Sequence, residues 1–372
     1  MKNTFGNAVS VTVFGESHGP AVGAVLDGLA PGIPLDEELM ARQMGKRKNA
    51  AHLSTARREP DQVKILSGAY QGKTTGTPLT LVIENTDTRS QDYEKTAQLL
   101  RPGHADMTAL SKYHGFADPR GGGHFSGRIT AGLVAAGAVC LKALELCGIT
   151  LGTHIAACGG IVDRAFEPQG LEEQIKKLNL MEFAVLDPQA GEKMKQRILE
   201  ARQQGDSVGG ILETCVLGLP AGVGEPWFDT VEGVLSHLLF SVGGVKGVEF
   251  GAGFAVAELT GSTNNDAFYL RNGQIATQTN RCGGILGGIT NGMPLTLRCA
   301  VKPTPSIFKE QSTVNAQTME NATLQLEGRH DPAIVHRARV VVDSLVAIGL
   351  CDLLSQRYGT DFPFTLNQKE QR

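Results

Sequence analysis

The sequence predicts a layered α+β fold. Strand-like and helix-like segments come in pairs and runs, not in the strand–helix alternation that a doubly wound parallel sheet requires. Residues 128–146 are rich in Ala and apolar around most of the helical circumference, which suits a helix enclosed between layers. No repeat of ~20–50 residues, low-complexity tract or Pro/Ser linker divides the chain, so residues 1–372 are read as one domain.

The clearest strand signals are residues 8–14, 21–27, 63–69, 78–84, 210–219 and 295–301, rich in Val, Ile, Leu and Thr and bounded by Gly, Pro or charged residues. Asp36 stands before a helix that begins EELMARQM, with acids in its first turn and a basic end, as the helix dipole favours. Further helices are expected at 171–178, 191–204, 228–240 and 333–357. The stretch 190–206 is rich in Glu, Lys, Arg and Gln and reads as a solvated helix.

Composition narrows the function classes. Thirty-five basic and 38 acidic residues leave a formal charge of −3, so bulk charge gives no reason to expect a nucleic-acid partner. The seven cysteines are scattered and never form a CxxC pair, which argues against a disulfide framework and a structural zinc site. The N-terminus lacks the apolar core of a signal peptide, and residues 133–151 are interrupted by Lys142 and Glu145, so no membrane span is expected. A soluble protein of the reducing cytoplasm is the resulting expectation. Gly is the outlier: 46 residues, nearly twice the ~7% of ordinary proteins. Many should serve turns or close backbone approaches.

Two motifs imitate known chemistry. Residues 15–19, GESHG, fit the GxSxG nucleophile elbow and would make Ser17 a hydrolase nucleophile, but a strand-like segment follows where the elbow needs a helix. Residues 68–74, GAYQGKT, fall one residue short of a phosphate-binding P-loop and read as a strand and tight turn. Between residues 39 and 58 no acid interrupts Arg42, Lys46, Arg47, Lys48, His52, Arg57 and Arg58, an anion-attracting block. Residues 101–130 hold His104, His114, His124, Arg120, Arg128 and Ser126 around the triple glycine 121–123, just before the apolar helix. Successive glycines let backbone N–H groups approach a phosphate or flat ring, and the helix N-terminus adds positive potential. GRHDP at 328–332 sets guanidinium, imidazole and carboxylate side by side without a matched metal-ligand pattern.

Taken together, these blocks resemble the chorismate synthase family nearly end to end. The collinear matches include GESHG at 15–19, RREPDQVKILSGAYQGKTTGTPL at 57–79, ENTDTRSQDY at 84–93, RPGHAD at 101–106, DPRGGG at 118–123, SGR at 126–128, GDSVGG at 205–210, GLPAGVGEP at 218–226, GGILGGITNG at 283–292, KPTPS at 302–306 and GRHDP at 328–332. The resemblance implies a lyase that converts 5-enolpyruvylshikimate 3-phosphate to chorismate by 1,4-elimination of phosphate, using reduced FMN without net redox change. It also implies a helical layer sandwiched between antiparallel β-sheets, and a homotetramer. NADPH or an external flavin reductase would supply the reduced flavin, and the lack of an appended reductase domain leans toward external supply.

By the same resemblance, His18 is expected to protonate or stabilise the departing phosphate, His104 to act as the acid beside the flavin, and Asp331 to assist proton removal through the flavin N5. Ser17 and Ser126 support them. Lys46, Arg47, His52, Arg128 and Arg329 are expected to face anionic groups of substrate, flavin or nicotinamide. Flavin contacts map to His124, Phe125, Ser126, Gly243, Gly244, Gly287, Lys302, Pro303, Thr304, Pro305, Ser306 and Arg329. The sequence departs from the family pattern in five places. Lys48-Asn49 replaces Pro-Gly, His52 and His124 replace arginines, Phe125 replaces a serine and Asp343 replaces a glutamate. The rival readings are a serine hydrolase built on Ser17 and a flavin-binding protein without lyase activity.

Overall fold

The computed structural model describes residues 2–47, 61–86, 98–326 and 331–369. The chain opens with β1 (Thr4–Phe5), β2 (Ser10–Gly15), β3 (Ala21–Asp27) and α1 (Glu37–Arg47). It continues through β4 (Val63–Ser67), a small hairpin of β5 (Ala69–Tyr70) and β6 (Lys73–Thr74), and β7 (Leu79–Glu84). The first sheet has the order β1-β2-β3-β7-β4 and is antiparallel throughout. Leu79, Leu81 and Ile83 alternate with more exposed neighbours along β7, the period-2 pattern of a sheet with one face on the core. The P-loop imitation at 68–74 is the β5–β6 hairpin, its turn made by Gln71 and Gly72 at positive φ.

Next come α2 (Asp106–Tyr113), α3 (Thr130–Leu146), β8 (Thr150–Cys158), β9 (Ile161–Val162), α4 (Leu171–Leu180), α5 (Pro188–Gln203) and β10 (Gly210–Leu217). They are followed by α6 (Val231–Phe240), β11 (Val245–Phe250) and a single turn, α7 (Gly261–Asn264). Hairpins β12 (Phe268–Arg271) with β13 (Gln274–Thr277) and β14 (Ile285–Leu286) with β15 (Ile289–Thr290) precede β16 (Leu295–Val301). A hairpin of β17 (Gln311–Asn315) and β18 (Glu320–Leu324), α8 (Val335–Tyr358) and α9 (Phe362–Lys369) complete the chain. The second sheet, β11-β16-β10-β8-β9, is also antiparallel throughout.

The layers are set by α3 and α8. One side of α3 lies on β2, β3 and β7, the other on α8, and α8 in turn lies on β8 and β10. Two glycines permit this. A Cβ on Gly132 would sit 2.5 Å from the backbone of Gly23 in β3, and one on Gly137 would sit 2.2 Å from Cβ of Ser344 in α8. The run Gly127–Leu146 has, by length and composition alone, what a membrane span needs; most of it is buried within these layers as a core helix.

Every residue of α8 from Ala338 to Ser355 is buried, so its polar side chains must find partners inside. Asp352 accepts N–H bonds from Asn7, Ala8 and Val9 at 3.1, 2.7 and 2.9 Å. Arg339 donates to the carbonyls of Leu178 and Met181, and Asp343 accepts from Thr153 Oγ1 at 2.6 Å.

The far face of the second sheet is covered by α4 and α5. There His154 is fully buried between Asp163 and Glu213, 2.8 Å from each. Burial alone would lower its pKa, but the hydrogen bonds and charges of the two carboxylates outweigh it and raise it above the usual 6.5.

The six expected strands form with ends shifted by a few residues, and the helices likewise. Three differences have physical causes. Thr150–Cys158 was not expected as a strand: it is central and buried on both faces, so the period-2 signal is missing. The helix expected from 228 begins at Val231 because Thr230 Oγ1 caps Gly233 N. The segment read as a solvated helix is α5, and Met194, Ile198 and Ala201 bury one side of it.

Two outcomes are expected. Gly137→Ala should lower stability by about 1–3 kcal/mol through overpacking, whereas Gly45→Ala on the open face of α1 should raise it by about 0.4–1 kcal/mol; denaturant midpoints decide both. The folded state also holds the His154 proton more tightly than the unfolded chain. The contribution of this group is therefore complete below pH 6.5 and fades as pH rises through the raised native value. Unfolding of wild type and His154→Ala should show a larger stability gap at about pH 6 than at about pH 9.

Candidate active site

The residues singled out by the sequence gather where β2, β7 and β16 end and α3 and α8 begin. GESHG is the turn between β2 and β3, entered through Gly15 at φ 97°. It faces the triple glycine, whose φ values of 59°, 83° and 52° are left-handed. Ser17 N donates to Gly123 O at 3.1 Å, and His124 Nδ1 donates to Gly15 O at 2.8 Å. A Cβ on Gly121 would come within 2.2 Å of the His18 ring and 2.9 Å of Ser17 Oγ, so only glycine lets this loop lie on the pair. Ser17 is 1% exposed and its hydroxyl has no hydrogen-bond partner among the described residues. A nucleophilic serine needs a base within reach, and the elbow's helix is replaced by β3; nothing in this geometry favours the hydrolase reading.

Beside this turn lies an arginine cluster. Arg128 donates Nε to Asn85 Oδ1 at 2.8 Å and Nη2 to Glu84 O at 3.2 Å. Asn85 in turn donates to the carbonyls of Glu16 and Gly19, at 3.0 and 2.8 Å, inside the His18 turn. Asp61 pairs with both Arg128 and Arg47. The Arg47 carbonyl accepts Arg337 Nε at 2.8 Å, and Arg337 pairs with Asp331. A continuous polar chain therefore runs from the His18 turn to Asp331. Ser126 Oγ accepts from Arg128 N at 3.3 Å and caps the turn leading into α3.

A second cluster surrounds His104. Its Nδ1 lies 3.1 Å from Pro102 O and its Nε2 2.8 Å from Ser306 Oγ. A carbonyl only accepts, so Nδ1 carries the hydrogen and Nε2 accepts from the serine. Burial, with Arg101 adding to it, pushes the His104 pKa down to about 4. Lys302 Nζ donates to Gly103 O at 2.7 Å, and Lys302 N to Gly244 O at 2.8 Å. Ser207 Oγ donates to Thr304 O at 2.6 Å, and Val208 N to Pro332 O at 2.8 Å, which brings this cluster to the foot of α8. The edge-on contact of Tyr113 with Phe125, 6.0 Å between centroids, links it to the glycine loop.

The remaining expected residues divide. Lys46 is set among the charges of Arg339, Asp343 and Arg42; burial first, then Arg339, lowers its pKa to about 8. Two of these neighbours, Arg339 and Asp343, belong to α8. Gly287 is exposed in the β14–β15 turn, whose neighbour Gly288 pairs with Val231, and no described contact joins it to either cluster. His52 and Arg329 lie outside the described residues, as does His330. Asp61, Asn85 and Arg337 were missed as individual residues, although the first two stand inside matched blocks; a lone Asp or Asn carries no spacing signal. Thr304 Oγ1, like Ser17 Oγ, is buried without a partner among the described residues. The Thr304 hydroxyl, in the segment whose Lys302 bonds the Gly103 and Gly244 carbonyls, fits a polar ligand such as a flavin nucleotide.

His104 should accordingly stay neutral from about pH 6 to 8, with ring NMR signals that titrate only near about 4; a midpoint near 6.5 would contradict the burial of this ring.

Known proteins resemble this chain along nearly its whole length. Residues 9–354 match the chorismate synthase family profile. The chain is 47% identical over 356 residues to a chorismate synthase of Dehalococcoides mccartyi, covering 95% of this chain and 96% of that protein. It is 47% identical over 353 residues to that of Methanocella arvoryzae, covering 94% and 93%, and 46% over 357 residues to that of Thermococcus gammatolerans, covering 95% and 97%. A crystal structure of a chorismate synthase superposes with a TM-score of 0.78 at 29% identity, over 99% of this chain and 97% of that one. Matches of this extent, on the fold and motifs already described, mean that the chain belongs to the chorismate synthase family.

Proposed function

We propose that this enzyme converts 5-enolpyruvylshikimate 3-phosphate to chorismate and phosphate by 1,4-elimination with reduced FMN. The observation that carries the reading is the polar chain from the His18 turn through Arg128, Asp61, Arg47 and Arg337 to Asp331, in a member of this family.

The substrate carries two carboxylates and a phosphate, and the cofactor carries another phosphate. A chain of net charge −3 must concentrate cations to hold them. Arg47 and Arg128 do so beside the N-termini of α3 and α8, which add positive potential. In the elimination the C–O bond to phosphate breaks, a ring C–H bond breaks, a new double bond forms and one proton is released. Reduced FMN, when bound, supplies electron density for the loss of phosphate and regains it. His18 delivers a proton to the departing phosphate, with Ser17 Oγ as a neighbouring donor. Asp331, oriented by Arg337, assists removal of the ring proton at the opposite end. His104, neutral when the ligand is absent, gains a proton as anionic groups arrive beside it, since a nearby negative charge favours imidazolium. The fit of Lys302, Thr304 and Ser306 to a flavin nucleotide supports the cofactor assignment, with NADPH or an external reductase as the source of electrons.

The reading extends to one domain over residues 1–372, a homotetramer and a cytoplasmic location, on family grounds. The test is an anaerobic assay with the substrate and chemically reduced FMN, following chorismate and phosphate together. Equal yields that require reduced flavin support the reading; flavin binding without product would leave a flavin protein of another activity. His18→Ala and His104→Ala should each lower turnover by ~10²–10⁴-fold with unchanged circular dichroism, and wild-type rates in both would remove these roles.

A further inference from the structure

One hairpin stands apart from the layers. Strands β12 and β13 are joined by Asn272 and Gly273 at φ 54° and 80°, the left-handed pair that a tight two-residue turn requires. Phe268, Tyr269, Leu270 and Ile275 supply its arms, and aromatic and β-branched residues favour strands. The root is held firmly. Asp266, 9% exposed, accepts N–H bonds from Arg281 and Cys282 at 2.8 and 2.9 Å and the Thr279 hydroxyl at 2.5 Å. Beyond that root the main neighbour of each strand is the other. Leu270 and Ile275 are register partners, and Phe268, two residues before Leu270, shares their face. Phe268, Leu270 and Ile275 are 63%, 74% and 73% exposed. With Tyr269 they line one open hollow of about 430 Å³.

A two-stranded hairpin with its apolar face in water is marginally stable, and its outer edges are open to pairing. The four side chains expose on the order of 500 Å², as much as the largest patch on an ordinary monomer. The main-chain edges and the exposed Arg271 and Gln274 bring the hairpin close to the ~800 Å² that each partner gives to a stable dimer. A face this apolar needs a cover that is present whenever the protein is. A transient partner does not supply that; a second copy of the chain does. Two outward edges on one small hairpin also suit an isologous contact, in which each hairpin meets its two-fold mate. We propose that the β12–β13 hairpin is an interface between two copies of this chain, with Phe268, Leu270 and Ile275 at its centre. That the enzyme is a homo-oligomer rests on the family reading above; the surface rests on the hairpin.

The experiment measures mass in solution by light scattering after size exclusion, over a dilution series. It compares wild type, a Leu270→Lys/Ile275→Lys double variant, and Leu180→Lys, which puts the same charge on an 83% exposed apolar residue at the end of α4. Wild type should contain an even number of chains. The double variant should contain half as many, or the same number with a dissociation constant ~100-fold higher. Its circular dichroism should match wild type, and Leu180→Lys should match wild type in both respects. A monomeric wild type would overturn this interface and the homo-oligomer reading together. An oligomer whose mass and dissociation constant survive the double substitution would overturn the interface and leave the homo-oligomer reading standing. Equal dissociation by Leu180→Lys would also overturn it, because added charge anywhere would then be enough. Should the lysine variant not fold, Leu270→Thr/Ile275→Thr keeps strand propensity, removes apolar bulk and is judged by the same outcomes.

Discussion

Everything in this fold depends on the close approach of α3 to its two neighbours. Gly132 lets the helix rest on the backbone of β3, and Gly137 lets α8 press against its other side. A side chain at either position would separate layers that are otherwise held by interdigitated small and branched residues. The site would separate with them, because its parts belong to different layers. The His18 turn hangs from the first sheet, Arg128 from the start of α3, Arg47 from the end of α1, and Asp331 from the start of α8. Ser306 follows the end of β16 in the second sheet. A rigid helical pair is what keeps these pieces at hydrogen-bonding distance.

The charges are arranged by the same logic. The chain is slightly acidic overall, yet it buries arginines at the site and in α8. Each such cation costs desolvation energy unless it is paired and hydrogen-bonded. Asp61 and Asp331 pair with the arginines of the site; main-chain carbonyls of Leu178 and Met181 receive Arg339. Away from the site, His154 between two carboxylates solves the same problem for the second sheet. His104 is handled in the opposite way: neutral, with one ring nitrogen on a carbonyl and the other accepting from a serine, it carries no buried charge.

Much of this was legible in the residues. The alternation of Leu79, Leu81 and Ile83 marks a half-buried strand, and the all-round apolar character of 128–146 marks an enclosed helix, because periodicity reports which sides face the core. Three consecutive glycines before that helix announced a close approach, and Gly121 lies against His18. Where burial is on both faces, as in Thr150–Cys158, periodicity has nothing to report. Where a half-buried helix carries many charges, as in α5, composition overstates its exposure.

The sequence by itself determined the layered α+β class, the enclosed helix, and the family through its collinear motifs, since these rest on local patterns and order along the chain. The tertiary structure alone decided which of those motifs meet. It joined Asn85 and Asp61 to Arg128, put Ser306 on His104, set Lys46 among charges of α8 beside an Arg47 that pairs with Asp61, and left Gly287 apart from the rest. The hydrogen-bonded pairs among these lie from 14 to 202 positions apart. They arise from the packing of layers, and no spacing along the chain encodes them.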